Sequence, residues 1–397
     1  MRHAAGTLLV LIVLVAPARA QQENYEIGGY VKYLFTGSKR PSFDAQFDHL
    51  VHGRLNTRWY PTEGISAVME MRARAFQGGT VRSTPGFAGT LGQDRGFGRL
   101  GGVLWSASSS VGYAEMDRMY VNAVAGKWQF TVGRQRLAWG TNLVWNPIDL
   151  FNPQSVLDFD YEERPPVDAV RVQYYTGEVS KLEVAVTPGW HGGHTKAGFQ
   201  WTFNRWDYDV HVLAGLREHG AYGGLAWAGD IGGGGFRGEA LVSSFDDRQM
   251  AQDEAILPGS SSPVIFTGVG TMISAALSGD YTFPNSFYVH TEVLYTSEGA
   301  ERNTLLNAGH AARIGLLSPA RWSVFQEFSY DITPLVRGGL FAIYNPSDRS
   351  SVLFPSATWS VVTDLDLSLY AMFFSGGPGT EYGGGGTAVI ARLKWSY

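Results

Sequence analysis

The amino-acid sequence predicts an all-β protein, a transmembrane antiparallel up-and-down β-barrel of about 18 strands, within a range of roughly 16–18. Three observations predict this class. Apolar and polar residues alternate with period two, many of the alternating segments end in aromatic residues, and 50 of the 397 residues are glycine while only 17% are charged. A soluble β-sandwich is the alternative, but it would bury its apolar face instead of turning that face outward.

The first twenty residues have the layout of a secretory signal peptide. A basic start at residues 2–3 precedes an unbroken apolar run at 8–15 and a small-x-small cleavage site at 18–20. The run is too short for an anchoring helix, which needs about 20 apolar residues. We therefore expect two parts, a signal peptide at 1–20 and an exported outer-membrane β-barrel at 21–397.

The alternation is clearest in residues 65–76. Isoleucine, alanine and methionine occupy one set of alternate positions there, whereas the other set includes Glu70, Arg72 and Arg74. A helix would spread both sets around its circumference, so this pattern requires a strand. Eighteen candidate strands begin near residues 25, 49, 65, 113, 128, 167, 180, 196, 207, 221, 236, 268, 286, 321, 335, 351, 365 and 387.

Short and long connections alternate between these strands. The longer ones cover residues 77–112, 138–166, 247–265, 298–320 and 375–386. Single-chain bacterial outer-membrane barrels have an even strand number, short periplasmic turns and long outer loops. We therefore expect both chain ends on the periplasmic side, and the terminal aromatic Tyr397 resembles the signal that the barrel-insertion machinery reads.

A closed sheet surrounded by outer-membrane lipids leaves no backbone amide unpaired in hydrocarbon, and a ring of this size encloses an aqueous channel. The sequence thus predicts a porin or channel for the passive diffusion of small hydrophilic solutes, not an enzyme. A net charge of −5 gives no indication of a nucleic-acid partner, and the absence of cysteine excludes disulfides and thiolate metal sites. No cofactor is predicted.

Cations dominate the predicted lumen-facing side of the first three strands and the last one. They are Lys32, Arg54, Arg58, Arg72, Arg74, Arg392 and Lys394. Only Glu26 and Glu70 oppose them on these strands, and closure of the barrel would join the strands into one arc of wall. One interpretation is a strip that attracts anionic solutes. The other is that cations and carboxylates of neighbouring strands pair and stabilise the wall.

The long connection after the fifth predicted strand carries two Asn-Pro pairs, which indicate a structured loop. Strict alternation would aim Arg134 and Arg136 at lipid, but a bulge at Gly133 would turn them inward. We expect the loop to fold into the lumen and narrow it. The constriction residues would be Arg134, Arg136, Asp149, Glu162, Glu163 and Arg164. The alternative is a loop packed over the mouth with solvated charges.

The same region carries a family resemblance. Residues 133–135 read Gly-Arg-Gln, residues 139–140 read Trp-Gly, and residues 146–153 read Asn-Pro-x-Asp-x-x-Asn-Pro. This element resembles the one in the alginate-export-like outer-membrane porin superfamily and related uncharacterised barrels. The resemblance implies a monomeric substrate channel.

Other features of the sequence bear on functions other than a channel, namely an enzyme, a metal site and a structural barrel. Asp48-His49 is similar to the acid–histidine pairs of outer-membrane proteases and phospholipases, although no serine lies in a nucleophile elbow. His191 and His194 lie in a glycine-rich stretch typical of a surface turn, so no metal site is predicted. The remaining alternative is a structural barrel that surrounds a periplasmic partner or an export component.

Overall fold

Antiparallel strands follow one another around a ring, and the last strand pairs with the first. This architecture comes from a computed structural model that describes residues 24–41, 43–91, 96–151, 157, 163, 165–189, 195–217, 220–246 and 269–397. The predicted signal peptide at 1–20 and the pair His191 and His194 lie outside these residues.

Nineteen strands and three helices are found within the described ranges. The strands are β1 Tyr25–Lys39, β2 Gln46–Thr62, β3 Ile65–Gly78, β4 Gly101–Ser106, β5 Ser110–Ala125, β6 Trp128–Gln135, β7 Val167–Tyr175, β8 Lys181–Thr187, β9 Lys196–Arg205, β10 Tyr208–Arg217, β11 Gly220–Ile231, β12 Gly234–Asp246, β13 Val269–Thr282, β14 Tyr288–Thr296, β15 Trp322–Thr333, β16 Val336–Asn345, β17 Ser350–Val362, β18 Leu365–Ser375 and β19 Thr387–Ser396. The helices are α1 Gly79–Ser83, α2 Phe87–Leu91 and α3 Thr304–Ile314.

Eighteen of these strands form a closed antiparallel β-barrel, which confirms the predicted fold class. β1 pairs with β19 over ten residue pairs and thereby closes the ring. β3 pairs directly with β5. The short β4 joins the opposite edge of β5, next to the stretch that pairs with β6, so it extends the wall where β6 ends.

The first residue of every predicted strand lies within three residues of the first residue of an observed wall strand. The agreement follows from the alternation, because a strand with one face in lipid and the other in the lumen has to change polarity at each residue. β4 was not predicted, since its six residues do not alternate and five of them are exposed.

The wall has its apolar side chains outside and its polar side chains inside, the reverse of a soluble protein. Val121 and Val132 are about half exposed on the outer face, at 50% and 52%, whereas Lys32 and Arg54 are almost fully buried inside. Exposed Trp59, together with many other exposed aromatic residues, occupies the ends of the wall strands, as interfacial aromatics do in membrane barrels.

The helix α3 lies in the long connection between β14 and β15. Its last residue, Ile314, is fully buried against inward-facing side chains of the wall, and Arg217 of β10 donates a hydrogen bond to the Ile314 carbonyl. A cation at this end of a helix satisfies a terminal carbonyl and is favoured by the helix dipole. Within the described residues, no helix is long and apolar enough to span a bilayer.

Candidate functional site in the barrel lumen

Closure of the barrel brings four basic side chains into one row across four strands. Lys394 pairs with Lys32, Lys32 with His52, and His52 with Arg74, and we call these four residues the basic row. The ammonium groups of Lys32 and Lys394 lie 5.2 and 4.7 Å from the centre of the Tyr30 ring, within the range of a cation–π contact. Residues from both ends of the chain thus form one surface.

The next row toward the short turns is dominated by ion pairs. Arg54 and Asp117 are 2.6 Å apart, with side chains only 1% and 0% exposed, and Arg54 also bonds Glu70. Arg72 bonds Glu115, whose carboxylate lies 3.7 Å from Arg74. Arg54, Arg72 and Arg74 therefore pair with carboxylates of the wall, as in the second interpretation of the sequence.

Arg58 and Arg392 lie away from these two rows. Arg58, near the end of β2 that leads into the short turn to β3, is half exposed and has the Glu26 carboxylate 3.6 Å away. Arg392 of β19 donates to the Ser368 hydroxyl at 3.4 Å and lies 5.4 Å from the centre of the Tyr370 ring. All seven predicted cations therefore belong to the inner face, but in three different environments.

Arg134 is buried at the end of β6, but the pairing does not show the bulge that the sequence predicted, because Tyr120 pairs with Gly133 and the exposed Met119 with Arg134 without a register shift. Trp128, Phe130 and Val132 are exposed on the outer face of β6, and the alternation then breaks at Gly133, whose φ is 122°. A Cβ atom on this glycine would lie 2.3 Å from the Met119 carbonyl oxygen. This backbone conformation therefore requires glycine.

The guanidinium group of Arg134 is buried and hydrogen-bonded. Its Nε donates to Asp168 at 2.8 Å, and its guanidinium also donates to the Gly98 carbonyl at 2.8 Å. It thereby connects β6 to β7 and to the stretch before β4. Arg136, two residues further, is exposed just beyond the end of β6.

Residues 137–151, which we call the inserted segment, lie inside the barrel. Wall carboxylates hold the segment mainly by its main chain. Both oxygens of Glu239 accept amide hydrogens, from Asn142 at 2.9 Å and from Ile148 at 3.1 Å, and Thr141 donates as well. On the neighbouring part of the wall, Glu292 accepts the amide hydrogen of Trp145 at 2.6 Å.

A third carboxylate holds the start of the segment. Glu183 of β8 accepts the indole N–H of Trp139 at 2.7 Å and is neutralised by Arg171 at 2.7 Å and Lys181 at 3.1 Å. Glu239 differs, because its partners among the described residues are amide and hydroxyl groups with no cation. The oriented N–H dipoles of these amides favour its charged form.

Apolar contacts complete the attachment of the inserted segment to the wall. Leu137, Trp139, Ile148 and Phe151 are buried in a cluster with inward-facing residues of β7 to β13 and with Ile314 of α3. Trp145 belongs to a second cluster with inward-facing residues of β13 to β17. About half of the ring is therefore covered from inside, and the side with the basic row lies opposite.

The predicted constriction residues are distributed along this path. Asp149 is buried within the inserted segment. Glu163 lies on the other side of the ring, where the Tyr30 hydroxyl donates to it at 3.3 Å and the Nε of Arg54 is 3.6 Å away. Phe151 and Glu163 therefore contact different parts of the wall. Glu162 and Arg164 lie outside the described residues.

Sequence reasoning did not assign the role of the three carboxylates that hold the segment. Alternation places Glu183, Glu239 and Glu292 on the lumen face, but the groups of the inserted segment that they bind are backbone amides and an indole, which leave no charge pattern in the sequence. The connection that contains α3 was likewise predicted only as a long loop.

A network of hydrogen bonds outside the strands connects α3 to two neighbouring loops. Asp348 accepts bonds from the hydroxyls of Thr304 and Ser350 and from the amide of Glu381. Burial would raise the pKa of Asp348, but these hydrogen bonds outweigh it and lower the pKa below its ordinary value. The stability that Asp348 contributes is therefore present at neutral pH and lost as the pH falls through this lowered pKa.

The acid–histidine pair suggested by the sequence does not form. Asp48 accepts bonds from the amide and hydroxyl of Thr80, at 2.8 and 2.7 Å. His49 points to the outer face, where its Nδ1 lies 2.6 Å from the Tyr33 hydroxyl. Adjacent residues of a strand project to opposite faces, so these two side chains cannot act together.

No family model and no curated protein matches this chain. Among solved structures, however, the match extends over nearly the whole barrel. The fold is similar to OccAB2 of Acinetobacter baumannii. The two superpose with a TM-score of 0.58 at 9% identity, covering 94% of this chain and 98% of that one.

Two structures from Pseudomonas aeruginosa are similar to the same extent. OccK5 (OpdH) has a TM-score of 0.57 at 8% identity, and OccK8 (OprE) has 0.55 at 9%; each comparison covers 94% of this chain and 98% of the other. Likeness at this identity shows the fold. These neighbours are Occ/OprD-family outer-membrane porins, so the predicted resemblance is supported for an outer-membrane barrel and not for the alginate-export family specifically.

Proposed function

We propose that this chain is an outer-membrane channel through which small hydrophilic solutes diffuse passively, without catalysis. One observation carries the proposal: around a closed ring of 18 strands, charged side chains such as Lys32 and Arg54 face inward while aliphatic ones such as Val121 and Val132 face outward. A ring of this size encloses more space than its own side chains fill, and a polar lining keeps that space wet.

Location in the outer membrane has separate support. The barrel is similar to outer-membrane porins, and residues 1–20 read as a cleavable signal peptide. We further propose that Tyr397 is presented to the barrel-insertion machinery. Its main chain pairs with Gly29 at 3.0 Å in both directions, and its hydroxyl donates to the Arg54 carbonyl at 2.9 Å, so it seals the junction of β19, β1 and β2.

The inserted segment would act as the constriction. It covers the lumen wall from β7 to β17, and Lys32 and His52 of the basic row are fully buried, so the open passage would run past the partly exposed Arg392 and Lys394 of β19. In this arrangement Arg134 and Asp149 position the segment, whereas Lys394 and Arg392, which are only partly buried, contact the passing solute.

Conductance of the purified protein in planar bilayers tests the proposal. We expect discrete, long-lived steps of current in the unmodified protein, because a water-filled passage of fixed width conducts without a partner. A barrel that surrounds a periplasmic partner would be closed or erratic when alone, and that result would contradict a diffusion channel.

Charge reversal on the last strand tests the anion preference. In Arg392→Glu/Lys394→Glu, we expect the ratio of anion to cation permeability to fall by about threefold, because local potential sets ion concentration in a narrow passage. The measurement is the reversal potential across a potassium chloride gradient. Lys127→Glu, a charge change in an exposed turn between β5 and β6, is the matched control and should leave the ratio unchanged. Equal ratios in all three proteins would dismiss the anion strip.

A further inference from the structure

Leu143 differs from the rest of the inserted segment in the solvent exposure of its side chain. The structure describes all of residues 137–151, and Leu143 is the exposed side chain among them, with half of its surface (50%) accessible to solvent. Its neighbours Asn142 and Trp145 are buried. An apolar side chain is thus held in water in the middle of an otherwise packed segment.

The backbone on both sides of Leu143 is fixed. The amide of Asn142 is bound to Glu239, and the amide of Val144 is bound to Glu292 at 3.1 Å. Both carboxylates lie near the middle of their strands, so these attachments are near the middle of the barrel's height.

Side-chain contacts show which way the flanking residues point. The Ser278 hydroxyl of β13 donates to the Asn142 side-chain oxygen at 3.0 Å, and the Trp145 ring contacts Phe325 of β15 edge to face at 6.4 Å. The residues around Leu143 therefore face the wall. Because Leu143 is exposed while they are buried, its side chain projects away from the wall, into the lumen.

We propose that Leu143 is a specificity-determining residue of the passage, an apolar contact that favours solutes with an aliphatic surface over equally large but more strongly hydrated ones. This inference rests on the proposed channel function. A solute that brings a methyl group against Leu143 removes apolar surface of both from water, and a hydroxyl in the same position does not. Arg392 and Lys394 would act on the charge of the solute, whereas Leu143 would act on its uncharged part.

Valine and threonine are suitable probes, because they are zwitterions of nearly equal size that differ by a methyl group and a hydroxyl. In swelling assays with proteoliposomes, the unmodified protein should pass valine faster than threonine. In Leu143→Asn, which keeps the branched shape and the number of heavy atoms, the ratio of the two rates should fall by about twofold to fourfold. Leu335→Asn, the same change at an exposed leucine between β15 and β16, should keep the original ratio.

Thiol labelling tests the position of the side chain independently. The chain contains no cysteine, so Leu143→Cys introduces a single reactive thiol. A charged methanethiosulfonate reagent should lower the single-channel conductance of this variant by about half and leave Leu335→Cys unchanged.

The outcomes separate the two proposals. If the unmodified protein passes neither amino acid and shows no conductance, the channel function itself is wrong. If it conducts, but Leu143→Asn keeps the valine-to-threonine ratio or Leu143→Cys is not blocked, the role of Leu143 is wrong and the channel function stands.

Discussion

Removal of residues 140–150 is expected to raise the single-channel conductance by about twofold to fivefold, because these residues occupy space that the barrel would otherwise leave to water. The deletion can be closed with a short glycine-serine linker, since the Trp139 and Phe151 rings on either side of it lie only 5.0 Å apart. Water would then reach Glu239 and Glu292 and solvate both carboxylates.

Planar-bilayer recording measures this effect, and the shift in gel mobility on heating shows whether the barrel is still folded. The deleted protein should also pass larger neutral polymers than the unmodified one. A folded barrel whose conductance does not change would mean that the inserted segment does not narrow the passage.

Loss of the Arg54 side chain is expected to produce the largest decrease in stability. In Arg54→Met, the buried Asp117 loses the cation 2.6 Å away and keeps Arg118 at 3.9 Å, so the substitution should cost about 3 kcal/mol, the lower end of what breaking a buried pair costs. Urea unfolding in lipid vesicles measures the free energy of unfolding. Arg58→Met is the matched control, because this arginine is half exposed and its pair with Glu26 is worth less than about 1 kcal/mol.

A second substitution distinguishes a buried charge from lost packing. In Arg54→Met/Asp117→Asn, the carboxylate that lost its nearest cation is also removed while the shape of the site is kept, so most of the lost stability should return. If the double variant is as unstable as Arg54→Met, packing and not charge accounts for the effect.

The barrel wall could be predicted closely because its physical requirement is local. Each strand has to alternate polarity, and this alternation can be read directly from the sequence. The bulge predicted at Gly133 is an exception, because β5 and β6 pair through Gly133 without a register shift. β4 and α3 could not be predicted in this way, since tertiary contacts stabilise them and neither has a strong pattern of its own. The strand count and all eighteen strand starts depended only on the local rule.

The lumen was less predictable because its contacts join strands that are distant in sequence. The register shift between Glu70 and Met71 brings Asp117 to Arg54, and alternation alone does not reveal such a shift. Similarly, Glu239 and Glu292 could be assigned to the inner face, but their backbone partners in the inserted segment depend on how that segment folds.

The basic row has a consequence for biogenesis. Lys394 and Lys32 come from the two ends of the barrel sequence and meet only along the β1–β19 seam, which forms when the ring closes. Selectivity between anions and cations would therefore arise at the final step of assembly. A nascent barrel whose β1–β19 seam is still open would leak ions of either sign.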